Sequence, residues 1–312
     1  MRQFIKPTII LSGCLEHDAC RFDGEMVQND FVRELKQHVK FVIVCPEVQI
    51  GLGVPRDRIV VVRQRREHRL IQPSTARDLT DEMKNFANAF IDSLGGVDGF
   101  ILKSKSPSCG IRDVKIREHA DSEEFIEKDS GIFGAIVLEK FPYLAVEDEA
   151  RLRNLRKREH FLTKIFAFAA FRHAKQFESI GKLNRFHEQN RFLFASYSRK
   201  ESSNLEEIIF KQLPYEKIIR MYEESFKKIF KRASRLDWNV DILDLLYWHF
   251  HDYLRPVERN SFRNAIERYG NRQIPLSSML RIVRECTSRI RSLDIARQTF
   301  LQPYPEKLID AG

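Results

Sequence analysis

Cysteine is scarce, at five in 312 residues. That is too few, and too scattered, for a disulfide scaffold, so the thiols read as free groups or metal ligands in a reducing compartment. Long apolar runs are missing too. None reaches the roughly 18 residues that mark a membrane-spanning helix, and the longest candidate, Ile165 to Phe171, is flanked by Lys164 and Arg172. No signal-peptide pattern opens the chain, because Met1 to Lys6 leads straight into a strand-like run. No internal repeat or low-complexity tract is present. A cytoplasmic protein with no membrane partner is therefore expected. The 43% hydrophobic content is enough for a real core, and the length suits two domains or one large one.

Charge divides the chain. Residues 1–150 carry 21 basic and 25 acidic side chains, a net of −4, so the remainder of the +9 chain carries +13. Four cysteines, Cys14, Cys20, Cys45 and Cys109, lie in the acidic half. Halves of opposite sign suggest chemistry in the first and polyanion binding in the second.

The first half alternates short apolar runs with amphipathic segments. Pro7 to Leu11, Phe41 to Val44, Ile59 to Val62, Gly99 to Leu102 and Tyr143 to Val146 read as strands. Asp30 to Val39, with Asn29 as cap, the span from Leu79 to Leu94, and Gly131 to Lys140 read as helices. Buried strands separated by helices predict an α/β fold, a parallel Rossmann-like sheet with helices on both faces. From about Glu149 onward the pattern is helical. The expected organisation is an α/β domain over 1–150 and a basic, mostly α-helical domain over 151–312.

Three cysteines follow three separate predicted strands: Cys14 after PTIILSG, Cys45 after FVIV and Cys109 after GFILKSKSPS. Ligands of an open parallel sheet bind beyond the carboxyl ends of its strands, so all three thiols should emerge at one edge. One buried cysteine is most often a small hydrophobe; three in turns rich in Gly, Pro or Ser argue for a site. Three thiolates leave two metal readings. Zinc would need a fourth ligand or a water, whereas a cubane iron–sulfur cluster on three thiolates keeps one iron open to a soft substrate atom such as sulfur. Spacing does not separate them, and Cys20 is a possible fourth ligand.

The segments SGCLEHDACRFDG (Ser12 to Gly24), VCPE (Val44 to Glu47), Gly53 to Arg56 and LKSKSPSCG (Leu102 to Gly110) resemble the thiouracil desulfidase family over about residues 5–150. LNRFHEQNRFLF (Leu183 to Phe194), RYGNRQIPL (Arg268 to Leu276) and FLQPYPEKL (Phe300 to Leu308) are similar to a helical domain often fused to it. The fusion resembles desulfidases that act on 4-thiouridine in tRNA. The resemblance implies a 4Fe–4S cluster held by Cys14, Cys45 and Cys109, whose open iron acts as a Lewis acid on the thiocarbonyl while water replaces sulfide without net redox change. Cys20 falls where the family varies and receives no role.

Glu47 lies two positions after a predicted ligand and is the candidate general base; its ordinary alternative is a surface carboxylate. Ser106 and Ser108 are candidate catalytic donors, against plain turn chemistry. Lys103, Lys105 and Arg21 are candidate substrate contacts, against solvated lysines and a loop-shaping arginine. In the second half, Arg151, Arg153, Arg156, Lys157 and Arg158 form one basic cluster and Arg281, Arg284, Arg289 and Arg291 another, suited to the phosphates of a thiolated tRNA. DNA is not expected as a partner, and the oligomeric state is left open. Arg191 shares a helix face with His187 and is a candidate RNA contact, with helix packing as the blander reading. Phe192, Phe194 and Tyr197 could stack on a base but are more often core.

Overall fold

The computed structural model describes residues 3–308. It divides into two compact units, Ile5–Ala169 and a helical unit from Ala170 onward. In the first, β1 (Thr8–Ser12), α1 (Asp30–Leu35), β2 (Lys40–Val44), α2 (Pro46–Gln49), β3 (Val60–Gln64), β4 (Glu67–Gln72), β5 (Arg77–Asp78), α3 (Thr80–Asp92), β6 (Gly99–Leu102), β7 (Val114–Arg117), β8 (Glu127–Asp129), α4 (Ile132–Lys140) and β9 (Ala145–Asp148) follow in order.

Four strands form an all-parallel sheet in the order β2-β1-β6-β9, with Ile10 beside Val42 on one flank and Phe100 on the other. The interior strands β1 and β6 carry Ile9, Ile10, Leu11, Phe100, Ile101 and Leu102, all at most 1% exposed. That is why they read as unbroken apolar runs, since helices cover both faces of such a sheet. The chain leaves β1 toward β2 and later returns on the other side as β6 and β9. The reversal of strand order therefore lies between β1 and β6, where α/β folds open a crevice.

A second, mixed sheet runs β5-β4-β3-β7-β8. The IVVV run, expected beside the parallel strands, belongs here: β3 makes an antiparallel hairpin with β4 and a parallel pair with β7. One core nevertheless serves both sheets, with Val61, Leu70 and Ile116 packing in the cluster that holds Ile10, Phe100, Met83 of α3 and Phe133 of α4. Asn29 caps α1 by accepting from the Val32 amide at 3.0 Å.

The boundary between units falls within α5 (Leu155–Lys175), and α6 (Ile180–Tyr197), α7 (Arg199–Ile209), α8 (Tyr215–Ile229), α9 (Leu236–Phe250), α10 (Pro256–Gly270), α11 (Leu276–Ile290) and α12 (Leu293–Ala296) follow. The helical unit is built on aromatics: Phe171 stacks on Phe226 with centroids 4.5 Å apart, and Phe186, Phe194 and Tyr222 surround them. His187 hydrogen-bonds the buried Tyr222 hydroxyl through Nδ1 at 3.2 Å, and burial holds its pKa below the ordinary histidine value. Phe194 and Tyr197 are core residues. No described helix is long and apolar enough to cross a membrane.

Candidate active site

A cavity of about 780 Å³ opens at the carboxyl ends of β1, β2 and β6. Cys14, Cys45 and Cys109 all line it, as do Cys20, Glu47, Ser106, Lys103, Lys105 and Arg21. Each thiol arrives by a different local device. Cys14 lies two residues beyond β1 in a loop tied by Gly13 N to Val44 O at 2.8 Å and by Val27 N to Cys14 O at 2.8 Å. Cys45 ends β2 and immediately precedes the single turn of α2, which sets Glu47 at the cavity wall. Cys109 lies in the tight turn Ser106 to Gly110, closed by Gly110 N to Ser106 O at 2.8 Å.

That last turn is clamped from below by the start of α4. Gly131 N donates to Gly110 O at 2.8 Å, Ile132 N to Pro107 O at 3.2 Å and Gly134 N to Ser108 O at 2.9 Å. The carbonyls approach so closely that a Cβ on Gly131 would lie 2.4 Å from Pro107 O, and one on Gly134 would lie 2.3 Å from Gly110 O. Glycine is required at both places for contact, since neither has a positive φ.

Glu47 is only 9% exposed. Its Oε2 accepts from Arg56 Nε at 2.9 Å and Nη2 at 2.6 Å, while its Oε1 accepts from Ser106 Oγ at 3.3 Å. Arg56 reaches it from the segment Gly53 to Arg56, also donating to Gly53 O at 2.9 Å, with its side chain 4% exposed. Ser106 Oγ in turn accepts from the Ser108 amide at 3.3 Å and the Cys109 amide at 3.1 Å. With its oxygen turned to two amides, the Ser106 hydroxyl proton is directed at Glu47. A carboxylate, a hydroxyl and the backbone amides of the cysteine turn thus form one connected chain at the cavity wall. The Glu47 oxygen on the serine side is the one available for proton transfer, because the arginine occupies the other.

Cys20 and Cys109 are buried, and Cys14 and Cys45 are half-buried. Burial pushes Cys109 up, against hydrogen bonds from Ser12 and Ser106. Cys20 stands between two predicted ligands: its thiol hydrogen-bonds both Cys14 and Cys45, the Cys14 contact being the larger influence, and is pushed up to about 11. Its hydrogen bond to Cys20, then burial, raises Cys45, which also donates to Cys20 O at 3.7 Å. Among the described residues, no three His, Cys, Asp or Glu side chains are arranged for a single metal ion.

The other predicted site residues divide. Ser108 is fully buried and is not part of the cavity lining; its hydroxyl makes no hydrogen bond. Lys103 lies at the wall but its Nζ is held by Glu149 Oε1 at 2.6 Å and Ser104 O at 3.0 Å. Burial alone would push the Glu149 carboxyl up, yet Lys103 and two hydrogen bonds from Ser104 outweigh it and hold the pKa below the usual value. Lys105 is exposed at the rim with a positive φ of 58°. Arg21 pairs with Asp23 at 2.9 Å and Glu25 at 3.3 Å, which braces the first loop. Arg191 belongs to the helical unit, over the Phe192 ring at 5.0 Å, and is not among the cavity residues.

The sequence reading did not single out the second sheet as a cavity wall. It contributes Val60, Val61, Val114 and the cations Lys115, Arg117 and Lys128, with Arg58 just before β3. Eight basic side chains line this cavity against two acidic ones, Glu47 and Asp113, in the half of the chain whose net charge is negative.

Thiols gathered at the crevice of a parallel sheet, beside a carboxylate–serine pair, mark the α/β domain as the part of the chain that carries the candidate site. Comparison with known proteins gives its family: residues 9–149 match the 2-thiouracil desulfurase family and residues 191–305 match a protein family of unknown function, DUF1722. The chain thus carries a 2-thiouracil desulfurase domain followed by a DUF1722 domain. A curated relative, the uncharacterized protein YbbK of Bacillus subtilis (strain 168), is 27% identical over 111 residues, covering 33% of this chain and 72% of its own. A solved structure, the 4Fe–4S-dependent thiouracil desulfidase TudS, is 25% identical with a TM-score of 0.38, covering 47% of this chain and 94% of its own.

Proposed function

We propose that the α/β unit is a 4Fe–4S-dependent desulfidase acting on thiolated uracil, and that its substrate is 4-thiouridine in tRNA. The observation that carries the reading is the meeting of Cys14, Cys45 and Cys109, from three strand ends, around one cavity that also holds the Glu47–Ser106 pair. The donor set fits a cluster. It is all thiol, the ordinary ligand type of iron–sulfur clusters, and it arrives from three separate strand ends around one cavity. Cys14, Cys45 and Cys109 would hold the cluster, which would supply Lewis-acid activation of the thiocarbonyl sulfur.

The chain's own residues supply the rest. The reaction converts a C=S bond to C=O: water provides the oxygen, and its two protons leave with sulfur as hydrogen sulfide or its anion. Glu47 Oε1 takes the proton of the attacking water, directly or through Ser106, and Arg56 keeps the carboxylate turned toward the serine. The apolar strands Val60 and Val61 and the aliphatic Val114 form a dry wall for a pyrimidine ring. The basic rim, with Lys105, Lys115 and Lys128 exposed, suits a phosphate-bearing substrate more than a free base. Extruding a nucleotide from an RNA stack costs a few kcal/mol, on the order of a modest set of such contacts.

Sulfide release and loss of the thiocarbonyl absorbance, measured on 4-thiouridine-containing tRNA and on free 4-thiouracil with anaerobically reconstituted protein, test the reading. Faster turnover of the tRNA is expected. Clear preference for the free base overturns the tRNA assignment, and sulfide from neither overturns the desulfidase.

A further inference from the structure

One thiol in the cavity has no part in the reading above. Cys20 is 8% exposed, lines the same cavity as Cys14 and Cys45, and its backbone carbonyl accepts from Cys45 Sγ at 3.7 Å. Its place is built. Cys20 N donates to Asp18 O and Asp18 N to Gly13 O, both at 2.8 Å, so the loop from Gly13 returns this sulfur beside Cys14. Gly13 leaves the room, since a Cβ there would lie 3.3 Å from Cys20 Sγ. Cys109 is not part of this trio; Ser12 and Ser106 hydrogen-bond it instead.

We propose that Cys20 makes cluster loading redox-gated: in the cluster-free protein it forms a disulfide with Cys14 or Cys45, which removes a ligand and blocks iron uptake until a thiol reductant restores it. The inference rests on the proposed cluster site. Thiols whose loops converge on one cavity open to small molecules meet the requirement of access and proximity for disulfide formation. The oxidant is a peroxide: one thiolate sulfur attacks the O–O bond, giving a sulfenic acid and water, and the second thiol displaces the hydroxyl as a second water. Two S–H bonds are lost, one S–S bond forms, and the peroxide takes up the two electrons. Reaction with two equivalents of a monothiol, or with one dithiol, reverses the change.

The test uses the full chain, stripped of iron by a chelator and reduced, then treated anaerobically with a small excess of hydrogen peroxide. Free thiols should fall from the five of the reduced chain by two, and peptide mapping by mass spectrometry should place Cys20 in the new bond. Iron and sulfide supplied afterward should give no cluster absorption until dithiothreitol is added. Cys20→Val, and independently Cys20→Ser, should keep iron uptake after the same treatment. A disulfide that omits Cys20, no disulfide at all, or variants that lose iron uptake as the parent does, would each overturn the proposal. Failure of the reduced, untreated chain to assemble a cluster speaks against the desulfidase reading instead, and the thiol mapping is read separately from it.

Discussion

Alanine is the better helix former by about 1 kcal/mol over glycine inside a helix, so Gly134→Ala within α4 would ordinarily stabilise. Here the sign should reverse. The added Cβ would lie 2.3 Å from Gly110 O and 2.9 Å from Cys109 O, both backbone atoms that cannot swing away. Relief requires α4 to back off from the Ser106 to Gly110 turn. That lengthens the Gly134 N–Ser108 O and Gly131 N–Gly110 O hydrogen bonds, now 2.9 and 2.8 Å. Overpacking of a tight site costs about 1–3 kcal/mol, and each weakened buried hydrogen bond adds about 1 kcal/mol. Set against the propensity gain, the net is a loss of about 2–4 kcal/mol, with Cys109 displaced from its place in the cavity. Urea unfolding of the full chain reads the first effect, and iron bound per chain after reconstitution reads the second. Gly181→Ala is the control, since its only close neighbour would be Ser179 Oγ at 3.7 Å. If Gly134→Ala raises the unfolding midpoint or leaves iron content unchanged, the clamp between α4 and the cysteine turn does not position the site.

Ser106→Ala should lower the rate of desulfuration by about 10²-fold or more, the scale of a lost proton-transfer partner, while leaving iron content intact; Ser108→Ala should show a stability change and little direct effect on proton transfer, so equal rate losses at both positions would refute the assignment to Ser106. Arg56→Gln should leave Glu47 free to turn from Ser106 and lower the rate of desulfuration without loss of iron, with a rate equal to the parent's as the contrary result. Lys103→Met leaves the buried Glu149 carboxylate without its cation and should cost about 3 kcal/mol of stability in neutral solution. Because the folded Glu149 pKa is depressed, its contribution is full above the unfolded value near 4.5 and disappears as pH falls through the lower folded value; acid titration of unfolding free energy should therefore show a shallower loss in Lys103→Met than in the parent.

Much of this architecture is readable from residue patterns, and the exceptions have physical causes. The apolar runs of β1 and β6 mark the parallel sheet because they are buried on both faces, the half-buried edge strand β2 carries a similar run, and thiols placed just after them share an edge by topology alone. The Ile59 to Val62 run looks the same locally but pairs with Glu67–Gln72, a strand whose charged residues conceal it. The strands β7 and β8 of the same sheet then bring Lys115, Arg117 and Lys128 to the cavity. Arg56 was visible within a motif, yet its ion pair with Glu47 depends on how the intervening loop turns. Gly131 and Gly134 are ordinary in a sequence; only the arrival of carbonyls from Pro107 to Gly110 makes them necessary. Lys103 looked available to substrate because its partner, Glu149, is 46 residues away. Among the clustered arginines, Arg158 is buried, donating to Leu152 O at 2.8 Å and lying 4.9 Å from the Phe31 ring centroid. Charge density along a chain does not distinguish such a packed guanidinium from one facing solvent.

Anaerobic reconstitution followed by Mössbauer spectroscopy, on the parent and on single alanine variants of Cys14, Cys45, Cys109 and Cys20, addresses the metal centre most directly. Four irons per chain with one site distinct from the other three are expected, with the cluster lost in the first three variants and retained without Cys20. A single bound ion, four equivalent iron sites, or a cluster that survives removal of Cys14, Cys45 or Cys109 would contradict the account.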